Sequence, residues 1–243
     1  MARRKRTSAK REAGIANRLR RWRRRVLRTA LRAIVLVASL VVLWVLVYSV
    51  INPPSTPYML SEKARLDGVE HQWAAWEDIA PQMPRAAVAA EDANFCLHWG
   101  FDMGAIRAAL ADGRRRGAST ISQQVTKNAF LWHGRSWLRK ALEALITPVV
   151  ELTWSKRRIL EVYLNIAEFD EGVFGVEAAA QHYFGVPASK LSGTQAARLA
   201  AVLPAPQDRS AARPSGSLQK RAAAIMDGAA TIRRDGRAAC FED

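Results

Sequence analysis

The chain has 243 residues and a formal net charge of +15 at pH 7, which would suggest a nucleic-acid binder if the charge were spread over the folded surface. Residues 1–32 contain 14 Lys or Arg and one Glu, whereas the remaining 211 residues carry a net charge of only +2. The basicity is therefore a property of an N-terminal tail. This excludes a strongly basic body, and anionic lipid is a more economical partner for the tail than nucleic acid.

An uncharged segment follows the tail. Residues 33–51, AIVLVASLVVLWVLVYSVI, are 19 positions without a charge, and at about 1.5 Å per residue a helix of this length nearly matches the roughly 30 Å hydrocarbon core of a bilayer. A secretory signal peptide is the alternative, but its apolar region is usually about 7–15 residues and ends at a small-residue cleavage site. The segment is predicted to be a retained transmembrane helix in the inner membrane. The excess of Lys and Arg places the tail 1–32 in the cytoplasm and the rest of the chain in the periplasm.

The remainder is predicted to be mostly α-helical, since strand-like alternation is almost absent. Residues 52–70, which begin NPPSTP, form a predicted helix-poor linker, and the domain 71–243 is large enough for its own core. The stretch 69–95 is expected to be helical on either side of a break at Pro81 and Pro84. Pro148 falls inside the predicted helix 137–155 and predicts a kink or a break there. Further helices are predicted at 103–115, 119–129, 137–155, 156–168, 175–184, 194–203 and 217–227.

The chain has two cysteines, Cys96 and Cys240. A disulfide is permitted on the outer side of the membrane, but a separation of 144 positions does not choose between a bridge and the default of two free thiols. The His and Cys spacings do not match a zinc site, and there is no Gly-rich phosphate loop.

The segment AAEDANFCLHWGFD, residues 89–102, places a Glu–Asp pair in an apolar setting. Glu91, Phe95 and His98 are spaced i, i+4, i+7 and would share one face of a continuous helix. Desolvation by the small apolar neighbours is expected to raise the pKa of Glu91 toward the range of a general base. An ordinary surface Glu–Asp pair is the alternative that this segment alone leaves open.

The segment GASTISQQVTKNAF, residues 117–130, reads as the start of a helix capped by Ser119 or Thr120. Either Ser119, Gln123 and Lys127 or Thr120, Gln124 and Lys127 would project from one side. Uncharged donors at a helix N-terminus together with one Lys describe a pocket for a diphosphate. A capped surface helix with polar residues is the alternative.

Two later segments carry charges on helices. In WLRKALEALITP, Arg139 and Glu143 form an i, i+4 pair that is usually only helix-surface support. In WSKRRILEVYLNIAEF, a wide apolar stripe predicts a core helix. Its polar column Glu161, Asn165 and Glu168 requires partners or lines a cavity. Two carboxylates in apolar helices, with a cationic helix between them in sequence, suit glycosyl transfer from a phosphate leaving group.

The motifs EDANFCLHWGFD, GASTISQQVTKN, RKALE and KRRILEVYLN occur in the order and spacing of the family 51 glycosyltransferases. These are the transglycosylase domains of class A penicillin-binding proteins and their stand-alone relatives. The resemblance covers residues 73–206. With one span and no room for a transpeptidase, the chain is similar to the monofunctional members of the family. Ala118 and Ser122 depart mildly from the family pattern and remove no proposed functional group.

The resemblance implies a mainly α, lysozyme-like domain with a membrane-facing lobe, which polymerises lipid II into glycan strands and releases undecaprenyl diphosphate. It implies that Glu91 is the general base and that Glu161 is a second catalytic carboxylate, which orients cations or holds a divalent ion. A Mg²⁺ or Mn²⁺ ion is left open, and neither a protein metal site nor another cofactor is assigned. The bilayer, the glycan strand and other cell-wall synthesis or division proteins are the expected partners. Substrate binding is implied for Arg107, Ser119, Gln123, Gln124, Lys127, Asn128 and Arg139.

Two rival functions remain at this point. A lytic peptidoglycan hydrolase would share a lysozyme-like fold and one acid, but it would not need the cationic QQVTKN helix for an uncharged leaving group. A non-catalytic membrane adaptor is the second rival. The acidic residues that are present in the motifs argue against it, because an adaptor would not need them.

Overall fold

The computed structural model describes residues 2–113, 117–134 and 136–242, with side chains from residue 20 onward. The chain divides into two compact units, Met1–Val47 and Tyr48–Asp243. Helix α1, Ala2–Tyr48, comprises the basic tail and most of the predicted span. Within the described residues, its part Arg20–Tyr48 is the one helix long and apolar enough to cross a membrane, and only 6% of its most apolar window is buried. That exposure separates it from a core helix, so a single-pass membrane anchor is compatible with the structure.

The second unit is mainly α-helical, as predicted. Proline and short polar caps begin several of its helices: Thr56 accepts a hydrogen bond from the backbone N–H of Met59, and Pro57 occupies the first helical position. The helices are α2 Pro57–Leu66, α3 Gln82–Glu91, α4 Met103–Ala111, α5 Ile121–Phe130, α6 Trp137–Thr153, α7 Lys156–Ile166, α8 Val176–Phe184, α9 Gly193–Val202, α10 Gly216–Arg234 and α11 Ala239–Glu242.

A small three-stranded sheet lies among these helices, although the sequence predicted almost no strand. Its strands are β1 Glu70–His71, β2 Glu168–Asp170 and β3 Val173–Phe174. The order is β1-β3-β2, with β1 parallel and β2 antiparallel to β3. The strands are so short that no alternating pattern could develop in the sequence.

Several predicted boundaries are corrected by the structure. Helix α2 lies within the segment 52–70 that was assigned to a helix-poor linker. The part of 69–95 before the prolines contains β1 and the 3₁₀ turn Trp76–Asp78 rather than a helix. Pro81 caps α3 and Pro84 lies in its first turn, where a missing N–H costs nothing, so Pro84 is not a break. Helix α6 likewise runs through Pro148 without interruption.

The C-terminal boundaries also differ. Helix α7 ends at Ile166 rather than at 168, because Glu168 enters β2. Helix α10 continues to Arg234, seven residues beyond the predicted end at 227. The end predicted at 115 for α4 lies in the segment 114–116, which is outside the described residues.

Two groups of helices build the core and position the site. Helices α3, α9 and α10 pack together, and α5 packs against α6 and α7. The predicted apolar stripe of α7 is buried, including Leu160, Tyr163 and Leu164. Asn165 in the same helix is also buried, and its amide bonds both backbone groups of Ala74 as well as the carbonyl oxygen of Glu161. This part of the polar column therefore has the partners that burial requires.

The two cysteines form a disulfide, with an S–S distance of 2.02 Å, so the default of free thiols was wrong. The bond joins the 3₁₀ turn Phe95–Leu97 to α11. Phe241 of α11 is buried, and its ring lies 6.4 Å from that of Phe95. The C-terminal helix is thereby fastened to the segment that directly follows Glu91.

Candidate active site

Glu91 is the last residue of α3, and its side chain is 14% exposed. The helix ends there because Asp92 turns away, with φ −160° and ψ 68°. The Asp92 carboxylate accepts a hydrogen bond from the backbone N–H of Ile121 at 3.0 Å and lies 2.8 Å from Nε2 of His98. The prediction that Glu91, Phe95 and His98 share one helical face is therefore wrong, because these contacts fold the chain back onto the start of α5.

Two side chains approach the Glu91 carboxylate. Gln124 Nε2 donates a hydrogen bond of 2.9 Å to Oε2, and Arg221 Nη2 of α10 lies 3.7 Å from Oε1. Burial raises the pKa of Glu91, and the Gln124 hydrogen bond and the Arg221 charge oppose that rise. The raised pKa was predicted from the apolar neighbours, and it gives Glu91 the basicity that a proton acceptor needs.

Glu91 lines one cleft and is hydrogen-bonded to a residue that lines a second. A groove of about 200 Å³ is lined by Glu91, Asn94, Asp102 and Ser119, among others. The larger of the two clefts, of about 340 Å³, is called the larger cleft. It is lined mainly by polar side chains that include Gln124, Lys127, Asn128, Tyr58, His133, Glu168 and Gln207. The Gln124–Glu91 hydrogen bond therefore connects the lining of one cleft to the lining of the other. Glu91 itself lines only the smaller groove, and Gln124 joins it to the larger cleft.

A third cavity, of about 700 Å³, lies between α3, α9 and α10. Its lining is mostly apolar and contains none of the residues predicted to act in catalysis or binding. Size alone would select this cavity, but the chemistry of the side chains selects the pair of clefts beside Glu91.

Helix α5 presents its predicted residues in two directions. Thr120, rather than Ser119, is the N-cap, and it forms a capping box with Gln123. Gln123 is buried, and its amide also lies 3.4 Å from the Glu143 carboxylate, so this placement does not favour direct contact with a ligand. Ser119 is exposed in the groove beside Glu91, while Gln124, Lys127 and Asn128 face the larger cleft.

Lys127 is the cation of the larger cleft. Burial lowers its pKa, while the charge of Glu143 partly opposes that effect. Among the residues that the structure describes, no carboxylate lies within ion-pair distance of Lys127. An unpaired, partly desolvated ammonium group lining a polar cleft is suited to an anionic ligand.

Arg139 is placed differently. It donates to Glu143 Oε2 at 2.9 Å and to the carbonyl oxygen of Gly134 at 2.8 Å, and Lys140 binds the same carboxylate. Glu143 is buried, so this is more than the exposed surface pair that the spacing suggested. The structure does not bring Arg139 into the lining of either cleft. Arg107 is exposed on α4 and is also outside both linings.

Glu161 accepts a hydrogen bond of 2.9 Å from Arg158 Nη1. The same guanidinium donates to the carbonyl oxygens of Tyr48 and Ile51 and to the side chain of Asn52. Within the described part of the chain, there is no group of three or more His, Cys, Asp or Glu that could hold a metal ion. Arg158 is therefore the cation that Glu161 contacts in the structure.

Sequence reasoning missed Arg221, Tyr58, His133 and Gln207. Arg221 lies 130 positions from Glu91 and reaches it only because α10 packs against α3. Tyr58 and Gln207 enter the larger cleft from α2 and from the 3₁₀ turn Pro206–Asp208, and both donate hydrogen bonds to Glu168. No spacing in the sequence signals these contacts.

Comparison with known proteins identifies the family. The profile described as Transglycosylase matches residues 59–230. A protein of Jannaschia sp. (strain CCS1), named biosynthetic peptidoglycan transglycosylase, is 58% identical over 99% of both chains. Proteins of the same name from Caulobacter vibrioides and Pseudomonas entomophila are 48% and 51% identical, over 90% and 81% of this chain and 98% and 88% of their own. The site geometry and these matches lead to one conclusion: the chain belongs to the transglycosylase family.

Proposed function

We propose that the protein is a peptidoglycan glycosyltransferase that polymerises lipid II into β-1,4-linked glycan strands and releases undecaprenyl diphosphate. The relatives named biosynthetic peptidoglycan transglycosylase support this assignment because one of them matches 99% of the chain. The observation that carries the mechanism is the hydrogen bond that joins Glu91, which lines the smaller groove, to Gln124, which lines the same cleft as Lys127.

In this mechanism, Glu91 accepts the proton of the acceptor 4-hydroxyl. The resulting oxygen nucleophile attacks C1 of the lipid-linked donor sugar, and the C1–diphosphate bond breaks with inversion from α to β. Gln124 holds the carboxylate in place through the 2.9 Å hydrogen bond. Lys127 stabilises the charge that develops on the departing diphosphate, as a fixed cation does in a partly dehydrated site.

Ser119, Gln124 and Asn128 are the remaining proposed contacts with the sugars and the diphosphate, since they line the two clefts. Arg139 and Gln123 would act on the substrate only after a rearrangement of the contacts described above, and Arg107 lies outside both clefts. Glu161 is proposed to orient Arg158 rather than to bind metal.

We also propose that α1 anchors the protein in the inner membrane, with residues 1–32 in the cytoplasm and the catalytic unit in the periplasm. The basic tail and the apolar segment that follows it support this orientation. The disulfide supports an oxidising compartment for the second unit. The membrane-facing lobe would be formed by exposed apolar side chains between Leu97 and Met103 and at the start of α6, namely Leu97, Trp99, Met103, Trp137 and Leu138.

A hydrolase remains the nearest rival, and one experiment separates the two functions. The purified full-length protein is incubated in detergent with labelled lipid II and, separately, with labelled finished glycan. The proposal predicts that lipid II is converted to polymer while the finished glycan stays intact. Cleavage of glycan without polymerisation would establish a hydrolase, and no reaction with either substrate would favour a non-catalytic adaptor.

A further inference from the structure

His133 has a defined position in the larger cleft. Its ring stacks on that of Tyr58 with a centroid distance of 4.1 Å and an interplanar angle of 16°. Both rings line the same cleft as Lys127. Neither ring nitrogen of His133 has a hydrogen-bond partner among the residues that the structure describes. The stacking therefore holds the face of the imidazole and leaves its nitrogen atoms available to a ligand.

Among the residues that the structure describes, charged groups on four elements influence the pKa of this imidazole: Lys127 of α5 and Arg139 of α6 lower it, and Glu168 of β2 and Glu62 of α2 raise it. Tyr58 is the titratable group that stacks on it, and burial raises the pKa of that phenol, which therefore stays protonated.

The two nearby acids are already engaged. Glu168 accepts hydrogen bonds from Tyr58 at 2.6 Å, from the backbone N–H of Gly172 at 3.2 Å and from Gln207 at 3.3 Å. Glu62 binds Arg65 at 2.8 Å. Among the described residues, neither carboxylate forms an ion pair with His133.

In the free protein, His133 lines the same cleft as the cation Lys127. Burial lowers its pKa, and the charge of Lys127 lowers it further. A diphosphate in the cleft would reverse this balance, because a negative charge within about 4–6 Å favours the protonated form of a histidine. Any ligand that favours the protonated imidazole must take up a proton from the solvent as it binds, by thermodynamic linkage.

We propose that His133 is a second anion ligand of the larger cleft, paired with Lys127 and protonated when a diphosphate binds. This inference rests on the proposed function, since it names a further residue that receives the diphosphate. The proton comes from the solvent and returns to it on release, so no bond of the substrate changes in this step. The consequence is that retention of a diphosphate strengthens as the pH falls through the neutral range.

The test uses a diphosphate diester whose phosphates do not titrate near neutrality, so that any proton taken up belongs to the protein. UDP-N-acetylglucosamine serves as this probe. Its binding to the full chain in detergent is measured by calorimetry at pH 6.5 and 8.0, in two buffers of different ionisation enthalpy. The wild-type protein should take up protons on binding, and its affinity should fall as the pH rises.

Three variants make the test specific. His133→Gln should bind the probe roughly tenfold more weakly at pH 6.5, the usual effect of losing one charge-assisted hydrogen bond, and should lose most of the proton uptake. His182→Gln is the matched control, because His182 lies on α8 beside Asp170, outside the larger cleft. Lys127→Ala reports on the cleft itself.

The outcomes are distinguishable. If His133→Gln keeps the affinity and proton uptake of the wild type while Lys127→Ala loses binding, the diphosphate cleft stands and the role of His133 is wrong. If the wild-type protein binds the probe no better than Lys127→Ala, the diphosphate site in the proposed function is wrong, and the role of His133 is wrong with it. Thermal melting of each variant shows whether a loss of binding follows from loss of the fold.

Discussion

Gln124 donates a hydrogen bond of 2.9 Å to the carboxylate of Glu91, across 33 positions of sequence. The same amide accepts a weaker hydrogen bond of 3.4 Å from the buried hydroxyl of Tyr163. Tyr163, a core residue of α7, therefore positions Gln124, and Gln124 in turn positions the proposed base Glu91. The position of the carboxylate is set by packing as well as by its own helix.

The first prediction concerns the pH dependence of polymerisation. Gln124→Leu removes a hydrogen bond that lowers the pKa of Glu91, so the pKa of the base should rise. Because a base acts when it is deprotonated, the acidic limb of the kcat/KM profile should move to higher pH. The rate should consequently fall more at pH 6 than at pH 8.

Gln181→Leu is the matched control for this profile. Gln181 donates a similar hydrogen bond of 3.1 Å to Glu177, but on the exposed surface of α8. The control should leave the profile unchanged. An acidic limb that stays in place in Gln124→Leu would show that this hydrogen bond does not tune the catalytic group.

Lys127→Ala should weaken the binding of the lipid-linked donor. The loss of one hydrogen bond to a charged group costs about 1.5–3 kcal/mol, which corresponds to an increase in KM of roughly 10- to 150-fold. Lys220→Ala, an exposed Lys of α10, is the control for loss of one positive charge. Unchanged turnover of Lys127→Ala at limiting lipid II would contradict the role assigned to this cation.

The disulfide predicts a measurable contribution to stability. Replacing both Cys96 and Cys240 by Ser should lower the free energy of unfolding by about 2–5 kcal/mol, the usual range for a native bridge. Activity should also fall, because the bridge holds the turn that follows Glu91. Reductant should destabilise the wild type but not the double variant. Equal unfolding curves for the two oxidised proteins would refute this contribution.

Gly100 has a positive φ of 80°, and a Cβ atom there would lie 2.7 Å from Cγ2 of Thr147. Gly100→Ala should therefore lose about 1–3 kcal/mol from backbone strain and a comparable amount from overpacking. Gly185 has a φ of 64° but nothing within 4 Å of the added atom, so Gly185→Ala isolates the strain. Chemical denaturation should show a clearly larger loss for Gly100→Ala. Equal losses would mean that the contact with Thr147 relaxes freely.

Sequence reasoning succeeded where the information was local and periodic. The stripe of α7 predicted a buried helix. Of the two sets of α5 residues that the spacing left open, the set with Gln124 is the one whose member lines a cleft together with Lys127. The missed helix α2 was also readable, since Thr56 and Pro57 form a standard N-terminus. The density of prolines before it favoured an extended link instead.

The rest depends on contacts between distant segments. The turn at Asp92 follows from a hydrogen bond to Ile121, and a helical spacing cannot reveal that bond. Arg221 approaches Glu91 because α10 packs on α3, and His133 enters the cleft because it stacks on Tyr58. The disulfide likewise required the C-terminal helix to return to the turn after Glu91. Each of these is a tertiary relationship without a local sequence signal.

The central claim is that Glu91 is the general base. Glu91→Gln keeps the shape of the side chain but removes its capacity to accept a proton at neutral pH. Because burial raises the pKa of Glu91 in the folded protein, the stability linked to its protonation is lost as the pH rises through that pKa. The neutral amide avoids this loss, so the variant should melt no lower than the parent at pH 7.

The deciding measurement is the rate of lipid II polymerisation by Glu91→Gln, compared with the parent and with Glu77→Gln, which changes an exposed carboxylate. We expect a fall of roughly 10²- to 10⁴-fold for Glu91→Gln, the usual contribution of a positioned acid or base, and no change for Glu77→Gln. Added divalent ions should not restore the rate, because no ion replaces a missing base. A folded Glu91→Gln protein that polymerises lipid II at close to the parent rate would show that Glu91 is not the general base.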